Sequence, residues 1–323
     1  MAANYNAEPI LKVEHMKQYF RISSSFTVKA VDDVSFDIYP GETYGLVGES
    51  GSGKTTIGRG IIRLYDPTGG KIIFKGAEIS GKMSKETQLL LRTKMQMIFQ
   101  DPYSSLNGRM NVFQLIAEPL IVNKVCRNKR EIEERVTKMM DTVGLASRLA
   151  NAYPHELDGG RRQRIGVARA LILEPEFVVS DEPVSALDVS IQAQILNLLM
   201  DLQEQMGLTY MFITHDLSVV KHISDEIMVM YLGKCVERAP AKEIFDNPIH
   251  PYTKALLAAI PIPSVQSCHK IRELLQGEVT SPVNPKPGCR FAARCPFVKE
   301  SCYQGEFELK EVTPGHFVAC PYV

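Results

Sequence analysis

Apolar and polar positions along the chain follow two different patterns, and together they predict an α/β fold. Between residues 28 and 38 the alternation is partly every second residue, so residues 11–43 are expected to form an antiparallel β region. Spacings of three and four residues predict amphipathic helices, one of them over 191–202. Short apolar runs without alternation predict strands buried on both faces, and they lie at 44–47, 177–180, 208–214 and 226–231.

A glycine-rich stretch after the strand at 44–47 predicts a phosphate-binding loop that opens a helix. Glycines let successive amide groups point at anionic oxygens, and a helix N-terminus adds positive charge. Lys54 is expected to reach the β- and γ-phosphates, and the Thr55 hydroxyl is expected to hold Mg²⁺. The residues expected to contact ATP here are Gly48, Glu49, Ser50, Gly51, Ser52, Gly53, Lys54, Thr55 and Thr56.

Two acids at the end of the strand at 177–180 complete a predicted nucleotide site. A buried parallel strand delivers such residues to the carboxyl edge of the sheet, where ligands bind in open α/β sheets. Asp181 is expected to hold Mg²⁺ through water, and Glu182 is expected to polarise the water that attacks the γ-phosphorus.

Several further motifs, in a fixed order, carry a resemblance to a known family. Asp158-Gly-Gly-Arg161 precedes a helical pattern, Gln100 follows an apolar run, Asp188 closes a short loop after the acids, and His215 follows a strand. With these motifs the chain resembles the ATP-binding cassette (ABC) ATPases. The resemblance implies a phosphate-loop parallel core sheet, an antiparallel β subdomain and a helical signature subdomain over about 101–170.

The resemblance also implies roles for these residues in a head-to-tail pair of cassettes. Asp158, Gly159, Gly160 and Arg161 would contact the ATP of the partner, and Asp188 would communicate across the dimer. Gln100 would join Thr55 and Asp181 beside Mg²⁺ and sense the nucleotide. His215 would act with Glu182 in catalysis by orienting the γ-phosphate and the water. Phe20, or its neighbour Tyr19, would stack on adenine.

Asp158 departs from the family pattern, in which serine is usual. A carboxylate there would face the γ-phosphate with like charge. The repulsion energy is about 4 kcal/mol for a 4 Å separation and an effective dielectric near 20. Arg161 or Arg162 can offset part of this repulsion. The hypothesis is that the two ATP sites of a dimer are unequal; the alternative is a tolerated family variant.

Composition narrows the class of protein. The chain has 323 residues, with 37 basic and 37 acidic side chains and a formal net charge of zero, so no basic field favours nucleic acid. The first residues lack a signal pattern, and no apolar run approaches the roughly 20 residues that span a bilayer. If this chain drives transport, the pore is expected to consist of other chains.

Proline becomes frequent from about residue 240, which predicts a change of architecture. The segments 247–257 and 100–107 resemble ATPases of the oligopeptide, dipeptide and nickel uptake family, in particular the second ATPase of their unequal pair. The expected division is an ABC ATPase domain over 7–258 and a small Cys-rich extension over 259–323.

Four of the seven cysteines lie within the last 35 residues of the chain, at Cys289, Cys295, Cys302 and Cys320. In a chain without a signal segment disulfides are disfavoured, so a structural metal site is expected. The spacing alone leaves Zn²⁺ and an iron–sulfur cluster open. The resemblance implies a [4Fe–4S] cluster.

These expectations describe a peripheral ATPase subunit on the cytoplasmic face of the cell membrane. It would use MgATP to import peptides with a second ATPase, two transmembrane permeases and an extracellular solute-binding protein. One alternative is an importer of nickel or another small solute. The others are a soluble ABC ATPase of DNA repair or translation and a regulatory switch that barely hydrolyses ATP.

Overall fold

The computed structural model describes Tyr5 and residues 7–260 and 281–322. The strands are β1 (Leu11–Arg21), β2 (Thr27–Ile38), β3 (Thr43–Val47), β4 (Gly69–Phe74), β5 (Ala77–Glu78), β6 (Met95–Ile98), β7 (Phe177–Asp181), β8 (Thr209–Thr214), β9 (Glu226–Tyr231), β10 (Lys234–Pro240), β11 (Lys310–Thr313) and β12 (His316–Val318). The helices are α1 (Lys54–Ile61), α2 (Lys85–Lys94), α3 (Val112–Val122), α4 (Lys129–Thr142), α5 (Gly159–Leu171), α6 (Val189–Met206), α7 (Leu217–Ile223), α8 (Ala241–Asp246) and α9 (Pro251–Ala258).

The described residues form two compact units that are each built from separate stretches of the chain. The first unit contains the described residues of Met1–Ile10, Tyr39–Glu42 and Lys82–Met211. The second unit contains those of Leu11–Ile38, Thr43–Gly81 and Phe212–Val323. The division therefore falls within β8.

The first unit carries β6 and β7 with helices α2 to α6. The two strands are parallel, with Met95 opposite Phe177, and all five residues of β7 are buried. The helices begin at polar caps: Asn111 accepts a hydrogen bond from the Gln114 amide at the start of α3, and the Gln114 side chain accepts one from the Asn111 amide. The charged stretch at residues 129–140 lies within α4.

The second unit contains a four-stranded antiparallel sheet in the order β2-β1-β4-β5. Leu11, Val13 and Met16 of β1 are buried, whereas residues between them are partly or fully exposed, so one face of this strand packs on the core. The predicted antiparallel β region of residues 11–43 is confirmed.

A second set of strands in this unit is mixed in direction. β3 is parallel to β9, β9 is antiparallel to β10, β10 is antiparallel to β12, and β12 is antiparallel to β11. β3 is buried along its whole length and β9 over five of its six residues, as their uninterrupted apolar sequences predict.

No helix among the described residues is long and apolar enough to cross a lipid bilayer. The predicted extension over 259–323 is only partly described, because residues 261–280 lie outside the described residues. The second unit contains residues from both sides of the expected boundary at 258/259. That boundary stays a prediction.

Candidate nucleotide site

The loop between β3 and α1 has a backbone that only glycine accommodates at two positions. Gly48 has a φ of 149°, and an added Cβ would lie 2.2 Å from the Met230 carbonyl oxygen. Gly53 has a φ of 103°, and its Cβ would lie 2.1 Å from the carbonyl oxygen of Ala30. Because neighbouring backbone closes on both positions, a side chain at either one would displace the loop.

The side chain of Lys54 is hydrogen-bonded to the backbone of this phosphate loop. Its buried ammonium group donates hydrogen bonds to the carbonyl oxygens of Gly48 and Glu49, at 2.7 and 2.9 Å. The Ser52 hydroxyl lies 3.3 Å from the same nitrogen. The cation is thus held at the N-terminus of α1, where the N-cap residue, Gly53, has no side chain to cap the helix. This arrangement concentrates positive charge where the sequence predicts the phosphates.

The predicted adenine-stacking residue lies at the end of β1 in the same unit. Phe20 is 40% exposed and packs edge-on against Tyr65, with ring centroids 5.8 Å apart. Tyr65 in turn donates a hydrogen bond of 2.6 Å to the carbonyl oxygen of Thr56, in the first turn of α1. Tyr19 has a different role, since its hydroxyl donates to the Asp32 carboxylate. Of the two aromatic residues considered, Phe20 is the one with an accessible ring linked to the loop.

Glu49, within the phosphate loop, makes contacts that sequence reasoning missed. Its carboxylate accepts hydrogen bonds from both terminal nitrogens of Arg294, at 2.7 and 3.1 Å. Its amide donates to the hydroxyl of Tyr252 in α9, at 2.9 Å. No local pattern signals these partners, because they lie 203 and 245 positions further along the chain.

Within the first unit, the structure brings Gln100 and Glu182 together. The Gln100 side-chain amide donates a hydrogen bond of 2.8 Å to the Glu182 carboxylate. Glu182 follows β7 with a φ of 45°, a left-handed conformation that costs energy for a residue other than glycine. Its neighbour Asp181 is fully buried at the strand end. The two predicted acids therefore differ in environment, one enclosed and the other held by an amide donor.

The residues of the predicted signature motif open α5. The Asp158 carboxylate accepts a hydrogen bond of 2.8 Å from the Arg161 amide and so caps the helix. The Arg161 side chain lies 3.4 Å from the other carboxylate oxygen. Cβ atoms added to Gly159 and Gly160 would approach Leu187 and Ile191, at 3.1 and 2.9 Å.

The remaining predicted site residues lie at element ends. In the first unit Asp188 precedes α6 as its N-cap residue, without a side-chain cap bond. His215 belongs to the second unit, where it is exposed between β8 and the cap residue of α7, Asp216. The phosphate loop, Phe20 and His215 thus occur in one compact unit, and Gln100, Asp181, Glu182 and the signature residues occur in the other.

The prediction of a metal site at the four tail cysteines is not supported by the described side chains. Among the described residues, no group of three or more histidine, cysteine or acidic side chains is placed to hold a metal ion. Burial raises the pKa of the Cys289 thiol to about 11 and also raises the pKa of Cys295, so both thiols are neutral when no metal is bound. Cys289, Cys295, Cys302 and Cys320 nevertheless line one cavity of about 320 Å³.

Comparison with known proteins places these features in a family. The sequence model described as ABC transporter matches residues 31–185, and the one described as oligopeptide/dipeptide transporter, C-terminal region, matches residues 236–302. The oligopeptide transport ATP-binding protein OppF of Bacillus subtilis (strain 168) is 52% identical over 315 residues, covering 97% of this chain and 96% of OppF. AppF of the same organism, another oligopeptide transport ATP-binding protein, is 51% identical over 322 residues, covering 98% of each chain.

A solved structure agrees with the fold. The dimeric ATP-binding cassette MJ0796, in a post-hydrolysis state bound to ADP and Pi, superposes with a TM-score of 0.65 at 27% identity. The match covers 72% of this chain and 98% of that one. The α/β architecture with mixed sheets is therefore that of an ABC ATPase. This chain belongs to the ABC transporter family, as an ATP-hydrolysing member with the oligopeptide/dipeptide transporter C-terminal region.

Proposed function

We propose that this chain hydrolyses MgATP to power the import of peptides across the cytoplasmic membrane. The observation that carries the proposal is the similarity, above 50% identity over nearly the whole chain, to proteins named for oligopeptide transport. The match to the oligopeptide/dipeptide transporter C-terminal region supports the same substrate class. These names favour peptides over nickel and over the DNA-repair, translation and regulatory alternatives.

The proposed chemistry has two parts, the binding of MgATP and the activation of the attacking water. The phosphate loop and Lys54 bind the triphosphate, while Thr55, Gln100 and Asp181 hold Mg²⁺, which neutralises charge on the phosphate oxygens. Glu182 orients and polarises the attacking water, and His215 positions the γ-phosphate. The hydrogen bond from Gln100 to Glu182 supports this assignment, because an amide donor holds the carboxylate in a fixed position.

The proposal includes an assembly. Asp158, Gly159, Gly160 and Arg161 contact the ATP of a second, homologous ATPase subunit, and Asp188 faces that subunit. Two transmembrane permeases and an extracellular solute-binding protein complete the importer, with this chain peripheral on the cytoplasmic face. Residues 7–258 form the ATPase domain and 259–323 the extension. The names of the relatives, which refer to transport, support the partnership.

Reconstitution of the co-purified complex in proteoliposomes tests this function. We expect ATP-dependent uptake of a labelled peptide pool, no uptake of labelled nickel, and loss of nucleotide retention with Lys54→Ala. Glu182→Gln is expected to retain ATP but to lower turnover by about 10²- to 10⁴-fold, as removal of a general base does. Lys138→Ala, on an exposed position of α4, is the matched control and should transport normally. Peptide uptake that Lys54→Ala leaves unchanged would refute the proposal.

We further propose that Cys289, Cys295, Cys302 and Cys320 together bind a metal cofactor, a [4Fe–4S] cluster in preference to Zn²⁺. The shared cavity supports this, as does the chemistry of four thiols, which bind both groups once deprotonated. The described side chains do not already surround a metal, so binding must reposition them. When bound, the cofactor would cross-link a segment that has little core of its own.

Anaerobic purification with metal analysis tests the cysteine proposal. An iron–sulfur cluster predicts about four iron atoms per chain and a visible absorbance band that chelation with oxidation removes. Cys302→Ser is expected to abolish the band, whereas Cys126→Ser, at a cysteine outside this group, should leave it intact. A colourless protein with one tightly bound zinc ion would show that the cysteines bind Zn²⁺ and no cluster. A metal-free protein with four reactive thiols would refute both the cluster and the zinc site.

A further inference from the structure

A short segment of the C-terminal region contacts the phosphate loop directly. We call residues 288–295 the tail segment. Arg294 of this segment forms a forked pair with Glu49, and one of its nitrogens also lies 3.4 Å from the Tyr231 hydroxyl. The Arg294 side chain is only 7% exposed and the Glu49 side chain is 27% exposed. A forked pair shielded from water in this way is stronger than an ordinary surface ion pair.

The charge on Glu49 gives this pair a consequence for anion binding. Glu49 lies between Gly48 and Ser50 in the loop where the triphosphate is expected, so its carboxylate would repel the anion. Arg294 opposes that charge at hydrogen-bonding distance. The hydrogen bond with Glu49 raises the pKa of Arg294, so the guanidinium stays charged. The Glu49–Arg294 pair is therefore neutral as a whole.

The backbone of Glu49 is fixed at the same time as its side chain. The Glu49 amide donates to Tyr252, and its carbonyl oxygen accepts from Lys54. Loss of Arg294 would therefore disturb Glu49, and the carbonyl oxygen of Glu49 is hydrogen-bonded to Lys54, the lysine expected to bind the phosphates.

A second arginine joins the tail segment to the strand beside the loop. Arg290 donates to the Asp32 carboxylate and to the Leu232 carbonyl oxygen. Asp32 follows closely on Ala30, whose carbonyl oxygen packs against Gly53. The tail segment thus contacts the loop itself at Glu49, and it contacts β2, the strand whose Ala30 carbonyl oxygen lies close to Gly53.

We propose that Arg294 is a positioning residue for nucleotide binding: it neutralises Glu49 and holds the phosphate loop in its binding conformation. The inference rests on the proposed function in so far as the loop binds ATP. It assigns to the C-terminal segment a part in nucleotide affinity, and not only in folding.

A purely structural attachment of the tail predicts a different result. In that case loss of Arg294 would lower thermal stability and leave the nucleotide affinity of the folded protein unchanged. The electrostatic role predicts an effect of Arg294 that depends on the charge at position 49. A double-mutant cycle separates the two possibilities.

The cycle compares Arg294→Gln, Glu49→Gln and the double variant in the full chain. We expect Arg294→Gln to raise the dissociation constant of a fluorescent ATP analogue, and the KM for ATP, about tenfold. The kcat should change less than twofold, because the side-chain hydrogen bonds of Arg294 go to Glu49 and Tyr231, which are not among the predicted catalytic residues. In the Glu49→Gln background, the same arginine substitution should change the dissociation constant less than twofold.

Two further variants complete the test. Arg290→Gln is the matched control, since this arginine pairs with Asp32, and its effect should be the same with either residue at position 49. Arg294→Lys keeps the charge but loses the fork, so an increase in KM of about threefold is expected; this variant also serves if Arg294→Gln does not fold.

Equal effects of Arg294→Gln in both backgrounds would overturn the inference, as would a lowered melting temperature with an unchanged KM. Failure of the proposed function has a separate signature. In that case the wild-type chain and Lys54→Ala would bind the ATP analogue equally weakly.

Discussion

Asp158 illustrates how one side chain changes what a helix N-terminus offers to a ligand. Its carboxylate caps α5 as a serine hydroxyl also would, so the substitution keeps the local structure. The difference lies in charge, because the aspartate brings a negative group to a helix end predicted to meet a phosphate. Arg161 lies 3.4 Å from this carboxylate, but both side chains are half exposed and the compensation is weakened by water.

This residue carries a prediction for the assembled complex. If the charge of Asp158 disables one of two ATP sites, Asp158→Ser should raise ATP turnover about twofold, since two sites would act in place of one. Asp158→Asn removes the charge and keeps a strong helix cap, so it should raise turnover similarly. The measurement is steady-state ATPase of the reconstituted transporter. Unchanged turnover in both variants would favour a tolerated family variant.

At the scale of elements, α9 depends on a buried histidine at its start. The ring nitrogen Nδ1 of His250 accepts a hydrogen bond of 3.1 Å from the Tyr252 amide. The two amides at 249 and 250 donate to the buried carboxylate of Glu237, and His316 of β12 binds the same carboxylate at 2.7 Å. Burial lowers the pKa of His250 to about 4, so the ring is neutral in the folded protein.

The lowered pKa of His250 predicts a loss of stability in mild acid. The unfolded chain, in which this histidine has a pKa near 6.5, binds the proton more readily, so unfolding is favoured as pH falls from about 6.5 towards 4. At pH 5 this difference in pKa lowers the free energy of unfolding by about 2 kcal/mol relative to neutral pH. Urea unfolding of the wild type and of His250→Asn, which keeps a capping acceptor, measures it.

The wild-type free energy of unfolding should fall more steeply between pH 6.5 and pH 4 than that of His250→Asn. Parallel curves over this interval would show that the pKa of His250 is not lowered in the folded protein and would contradict the assignment.

Sequence patterns predicted most elements of this protein because those elements are specified locally. Uninterrupted apolar runs predicted β7 and β9, and helical spacing predicted α6. The phosphate loop was also local, since glycine, lysine and threonine occur at fixed spacing. The Gln100–Glu182 hydrogen bond and the caps formed by Asp158 and His250 were beyond this reasoning, because a motif names residues without giving their hydrogen bonds.

At the scale of the whole molecule, the second unit brings together stretches that lie far apart along the chain. The sequence-based prediction places a domain boundary at 258/259, and one compact unit contains residues from both sides of that position. Asn284 illustrates the connection: its side chain accepts from the Thr27 amide, and its amide donates to the Thr27 carbonyl oxygen. Contacts across more than two hundred positions leave no periodic signal, so the arginine contacts of the tail segment could not be predicted.

The wide separation of Glu49 and Arg294 has a consequence for biosynthesis. The two residues are 245 positions apart, so a ribosome adding roughly 5–20 residues per second makes the loop roughly 10–50 s before its arginine. Until translation has passed residue 294, the nascent loop carries an uncompensated carboxylate and binds nucleotide weakly. On this inference, the loop acquires its full nucleotide affinity only when synthesis of the chain is nearly complete.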